Sequence, residues 1–240
     1  MQDLHLLGDR FRPLTLAGER ILPVISPLVS LLPEGGLRRG SVIAVGGSGA
    51  TSLALALLAG VSQSGSWTVA VGVPALGLAA AAELGVDLER LVLVDIPPPA
   101  QWAAVVAALA DAFDAVLVRP THRVRPGDAR RLVARVRERG GVLCQLPAPS
   151  ATWPDVPDLT LTVASAAWRG VAPGETGGAG RLRSRRVTVE ATGRRGAAQP
   201  RRVDLWLPGS DGCVTLANPA VTSRREPSSS SAPAAMEEAG

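Results

Sequence analysis

Apolar and polar positions in this chain follow two regimes. Between residues 41 and 146, short β-rich runs alternate with stretches of helical spacing. The runs are Ser41–Val45, Trp67–Val73, Leu91–Val94, Ala115–Val118 and Val142–Leu146. They are almost unbroken in Val, Leu, Ile and Ala, as strands covered on both faces are. Between them, Ser52 to Ala59 is apolar all round, as a helix buried against a sheet should be. Trp102, Val105, Val106, Leu109 and Phe113 recur at helical intervals. So do Ala129, Leu132, Val133 and Val136, with Arg130, Arg131, Arg135 and Arg137 off the stripe. This alternation predicts an α/β fold, a mainly parallel sheet covered by helices.

After residue 157 the period changes to two. Leu159, Leu161 and Val163 alternate, then Val187, Val189 and Ala191, then Val203, Leu205 and Leu207. This pattern predicts antiparallel strands with one buried face, connected through 170–180 and 193–200. Residues 1–34 read as a lead-in holding Pro13, Pro23, Pro27 and Pro33, with Ile21–Leu32 expected to pack as a short helix. Residues 35–212 form the core. Residues 213–240 are a flexible tail, expected to be disordered from about 222, where Ser, Pro and Ala dominate without periodicity.

Composition narrows the chemistry. All 25 basic residues are arginine, so no lysine can clamp a phosphate or form a Schiff base. Net charge is +4, and the pI near 10.6 reflects an all-arginine basic set more than a nucleic-acid surface. Arginines cluster at Arg123/Arg125, Arg130–Arg139, Arg181–Arg186, Arg194/Arg195 and Arg201/Arg202, and solvated faces explain them better than a phosphate track. Cys144 and Cys213 lie far apart, as do His5 and His122, and neither pair makes a disulfide framework or metal motif. Cys144, in an apolar run, is expected to be buried and inert. No Ser-His-Asp arrangement emerges around His122. Asp111/Asp114 and Glu237/Glu238 are carboxylate pairs by spacing only. Trp153, Trp168 and Trp206 sit near the C-terminal strands, where an exposed tryptophan would mark a protein interface. No charge occurs from residue 40 to residue 82, but Gly46–Gly49, Ser62–Ser66 and Pro74 break that stretch. It therefore reads as strand, helix and strand, not a membrane span, and the chain is expected to be cytoplasmic.

The centre of the pattern is Gly35–Gly60, GGLRRGSVIAVGGSGATSLALALLAG. It reads as a turn, a buried strand, a glycine loop from Gly46 to Gly49, and a helix from about Thr51. A working phosphate loop reads G-x-x-x-x-G-K-[ST]. Thr51 keeps the hydroxyl, but Ala50 stands in the lysine position. The first glycine of the pattern falls on Ala44, inside the strand. Either that glycine is gone, or Gly46 or Gly47 plays its part in a shortened loop.

Three landmarks, in this order, resemble the core of the RecA recombinases: GGLRRG before the glycine loop, PALGLAAAAELGVDLERLVLV at 74–94, and a closing hairpin ending VDLWLPG. The resemblance covers residues 35–212. It implies a RecA-like P-loop NTPase core with helices on both faces and C-terminal antiparallel strands. It also implies that the lysine, catalytic glutamate and Mg-linked aspartate positions are Ala50, Val73 and Arg119. Gly46, Gly47, Gly49 and Thr51 would then be a vestigial phosphate loop. No catalytic residue, metal or cofactor is expected, and Arg119 is the candidate anion contact. The loops that carry DNA in the recombinases are trimmed to 121–128 and 147–157. Such a degenerate core resembles the ImuA-type accessory factors of bacterial mutasomes. The implied role is a non-catalytic scaffold in damage-induced translesion synthesis, within the SOS response. Implied partners are an inactive Y-family polymerase homologue and an error-prone polymerase, with at most weak DNA binding, as monomer or hetero-complex. The alternatives are a cell-division-inhibitor-like interaction protein and a weak nucleotide-binding switch that binds DNA.

Overall fold

The computed structural model describes residues 20–148, 153–172, 179–194 and 199–217. The parallel half runs β3 (Val42–Gly47), α1 (Ala50–Gln63), β4 (Thr68–Val71), α2 (Leu78–Glu83), β5 (Leu91–Val94), α3 (Pro99–Ala112), β6 (Ala115–Val118), α4 (Pro126–Arg139) and β7 (Val142–Gln145). The antiparallel half follows as β8 (Leu159–Ala172), β9 (Ala179–Gly193), β10 (Arg201–Trp206) and β11 (Thr215–Leu216). Together they form one sheet, ordered β11-β10-β9-β8-β3-β7-β6-β4-β5. β3, the strand before the glycine loop, is the junction. It pairs in parallel with β7 on one side and β8 on the other.

The five expected strands of the parallel half all form, and their apolar runs are largely buried on both faces except at the sheet edge, where β5 leaves Leu93 exposed. On one face α1 and α2 cover Ile43, Val45, Ala70, Leu117 and Cys144. On the other, Trp102, Val106 and Ala110 of α3 and Ala129, Leu132, Val133 and Val136 of α4 cover Val69, Val71, Val116, Val118 and Leu143. The period-two rows of the C-terminal half, Val187/Val189/Ala191 above all, join the α1 face. The chain is thus α/β, with a mostly parallel central sheet and C-terminal antiparallel strands.

Four expectations need correction. Ile21–Leu32 is not one helix. Pro23 and Pro27 split it into a two-residue strand β1 (Ile21–Leu22), paired with β2 (Leu37–Arg38), and a 3₁₀ turn at Ser26–Leu31. Its apolar residues still serve packing, for Leu22, Leu28, Leu31 and Leu32 are buried in the main core. Gly46 and Gly47 are not loop residues either. β3 carries them, paired with Thr162 and Val163 of β8. The hairpin strands β8 and β9 reach to Ala172 and from Ala179, well into the glycine-rich piece at 170–180. Of the expected flexible tail 213–240, Thr215–Leu216 instead pairs with β10 as β11, with Val214 and Ala217 buried beside it, and residues from 218 on lie outside the described residues. Among the described residues no helix is long and apolar enough to cross a membrane.

Candidate functional site

Only Ser48 and Gly49 separate β3 from α1. The last β3–β8 pair is Gly47 with Val163, and β8 continues past that point to Ala172. The β8–β9 hairpin therefore stands beside the glycine loop at the C-terminal edge of the parallel strands, where open α/β sheets bind ligands.

Two glycines are required by their surroundings. Gly47 has φ +88°, and a methyl there would fall on the Val163 carbonyl and 2.9 Å from its nitrogen. Gly49, the N-cap of α1, has φ +101°. A methyl on it would lie 2.5 Å from Nη1 of Arg185 and 2.7 Å from its Cζ. Arg185 thus lays its guanidinium on the loop. The reason is register. The buried row Ala191, Val189, Val187 of β9 continues by one period to Arg185, beyond the end of the apolar cluster and over the head of α1.

Arg185 is 7% exposed. Its Nε donates to the Leu207 carbonyl at 2.7 Å, and its guanidinium carbon stands 5.1 Å from the ring centre of Trp168, its partner across the β8–β9 pair. Its buried Nη2 has no hydrogen-bond acceptor among the described residues. Burial pushes the guanidinium pKa down from its ordinary value. No side chain caps α1, and its first turn contains no acidic residue. The first intrahelical bond is Leu53 N–H to the Gly49 carbonyl, which leaves the amides before it open, at the positive end of the helix dipole.

The sequence-derived site residues are placed as follows. Ala50, at the lysine position, puts its methyl into the core. Val73 is buried in the same apolar cluster. Thr51 is half-buried in the first turn of α1. Arg119 follows β6, and β7 lies between β6 and β3. Two strand spacings put Arg119 about 10 Å from the loop strand. The arginine whose guanidinium lies against Gly49 is Arg185. In the sequence it lies inside the Arg181–Arg186 cluster, which reads as a solvated face. Extending the Val187/Val189/Ala191 alternation one step back was the signal that could have singled it out.

Other candidates resolve into structure. Arg135 and Arg139 both bind Asp111, Arg39 binds Asp114 at 2.9 Å, and Arg186 and Arg202 bind Asp204 and Glu190. Arg201 donates to the carbonyls of Ser30 and Leu32. Among the described residues, such contacts take up much of the 130–139 cluster and the 201/202 pair. His122 meets Trp102 edge-on at 5.4 Å, and Trp153 lies 6.4 Å from Trp102. Trp168 is 46% exposed. Cys144 is fully buried in β7, its thiol pushed up to about 12 by desolvation, and Cys213 is exposed. Among the described residues no three His, Cys, Asp or Glu side chains gather to hold a metal.

Comparison with known proteins places the chain. Residues 30–155 match the family described as MT3502 N-terminal domain. A protein of Mycobacterium tuberculosis named "Uncharacterized protein Rv3395c" is 35% identical over 193 residues, covering 76% of this chain and 89% of the relative. The matched stretch from residue 30 to 155 contains the glycine loop and all the parallel strands from β3 to β7. The chain belongs to the MT3502 family.

Proposed function

We propose that this chain is a non-catalytic, RecA-like accessory protein of damage-induced translesion synthesis. It acts as a scaffold for an inactive Y-family polymerase homologue and an error-prone polymerase, in the cytoplasm and at the nucleoid when assembled. The RecA-like part of the reading draws support from architecture. A glycine-loop strand lies inside a parallel sheet with helices on both faces, followed by an antiparallel C-terminal half. The motif order GGLRRG, PALGLAAAAELGVD and VDLWLPG points the same way.

One observation carries the non-catalytic part: the guanidinium of Arg185 lies on Gly49, in the space a nucleotide phosphate would use. Phosphoryl transfer needs a clamp on the phosphates, a metal held by carboxylate and a base for the nucleophile. The corresponding positions are a buried methyl, an arginine and a buried valine. The loop itself is two residues long, with Gly46 and Gly47 held in the sheet. Such a frame suits rigid presentation of surfaces, not turnover.

The test is co-purification. Tagged full-length chain, expressed with the inactive polymerase homologue encoded in its own genome, is expected to elute as a stable complex. Deleting the chain is expected to abolish damage-induced mutagenesis. Separate elution of the two proteins, with normal induced mutagenesis in the deletion strain, would overturn the proposal.

A further inference from the structure

We infer that Arg185 and the head of α1 form an oxyanion site that takes a single carboxylate presented by a protein partner, without lysine or metal. The inference rests on the scaffold reading and names its contact chemistry. Two independent features converge. The first is the open, uncapped N-terminus of a 14-residue helix, with no acidic side chain in its first turn. Such an end attracts negative charge. The second is the buried guanidinium aimed into it, whose Nη2 has no acceptor among the described residues. A cation desolvated against a helix N-terminus leaves a full and a partial positive charge facing each other. An oxyanion that contacts both from the rim answers them.

The rim of the site faces solvent. Gly47 and Ser48 are exposed, while Arg185 forms the floor. Trp168, stacked on the guanidinium and 46% exposed, forms one wall. Tryptophan and arginine together are the residue types most enriched at the energetic centre of protein interfaces.

Charge balance selects the ligand. One guanidinium meets a two-residue loop, within a stretch from residue 40 to 82 that holds no charged side chain. A monovalent carboxylate, with two oxygens matched to an arginine fork, is balanced by one arginine. A triphosphate brings several negative charges and finds no second cation in the loop. An aspartate, glutamate or C-terminal carboxylate of a partner meets the description.

The experiment is ¹⁵N NMR of the full chain, following the Arg185 Nε–H and the amides of Gly49, Ala50 and Thr51. Acetate is titrated at constant ionic strength, with inorganic phosphate and Mg-ATP in parallel. Acetate is expected to shift these signals together and saturably. Arg185→Lys, which keeps the charge and loses the fork, is expected to weaken saturation at least tenfold, and Arg185→Gln to abolish it. Absence of saturable shifts with acetate in the wild-type chain would overturn the site, whatever the variants do. So would equal shifts in Arg185→Gln. Phosphate saturating at tenfold lower concentration than acetate would overturn the carboxylate assignment. Partner capture that survives in a folded Arg185→Gln chain would also overturn the site while leaving the scaffold standing. Loss of partner capture in the wild type would instead sink the scaffold reading.

Discussion

Replacing Gly47 by alanine separates a glycine kept for sheet pairing from one kept for a phosphate. Gly47 sits at φ +88°, where an L-residue costs about 1–2 kcal/mol. Its new methyl would overlap the Val163 carbonyl, a backbone atom that cannot swing aside. Relief requires opening the terminal Gly47–Val163 pair of the β3–β8 ladder, a loss of about 1 kcal/mol net. The sum is about 2–3 kcal/mol, or a melting shift of about 4–12 °C for a chain of this size. Gly46, one residue earlier, has no neighbour within 4 Å of such a methyl and no positive φ. Its alanine variant is expected to equal the wild type or to gain up to about 1 kcal/mol. Urea unfolding followed by far-UV circular dichroism reads both variants against the wild type. If Gly47→Ala and Gly46→Ala unfold at the same urea concentration, the pairing argument is wrong and the two glycines are loop residues after all.

Three further outcomes follow from the side-chain geometry. Asp114→Ala strips the carboxylate from the largely buried Arg39, and is expected to cost about 2–3 kcal/mol, whereas Asp111→Ala, at an exposed cluster, should cost under about 1 kcal/mol. Equal urea midpoints for the two would contradict this. The Thr188 hydroxyl at 2.7 Å, then the Arg186 guanidinium, hold the Asp204 carboxyl below its ordinary pKa. The stability this group adds is therefore fully present above the unfolded-state value near pH 4 and fades as pH falls through the lower folded value. Asp204→Asn should accordingly lose stability at neutral pH and approach the wild type in acid, and a gap that widens below about pH 4 would refute the assignment. With its thiol at about 12, Cys144 should not react with a thiol reagent at pH 8 in the native chain, while Cys213 should. Rapid labelling of both cysteines without denaturant would place Cys144 elsewhere.

Much of the fold was legible because burial on two faces leaves a plain trace. Ala115–Val118 is a fully buried strand with the expected bounds, Leu91–Val94 keeps its bounds even at the half-exposed sheet edge, and the α4 stripe Ala129, Leu132, Val133, Val136 is buried throughout. Local proline chemistry decided what the apolar content of Ile21–Leu32 concealed: a segment can be fully core and still not helical. Gly46 and Gly47 misled for a related reason. Glycine marks both loops and close backbone approach, and only the neighbouring strand β8, more than a hundred residues later in sequence, distinguishes them. Arg185 was illegible as a site residue because a charged side chain in an arginine-rich run resembles solvated surface. Its burial arises from strand register against α1, a long-range property. Arg119 stands at the end of β6, as expected, with β7 between that strand and the loop strand.

The central claim is that the space beside Gly49 belongs to an arginine and does not receive a nucleotide. Isothermal titration of the full chain with Mg-ATP tests it directly. The account expects no saturable heat at millimolar nucleotide, in the wild type or with Arg185 replaced by glutamine. Saturable binding with a Kd in the micromolar range would contradict it and make this chain a nucleotide-dependent switch.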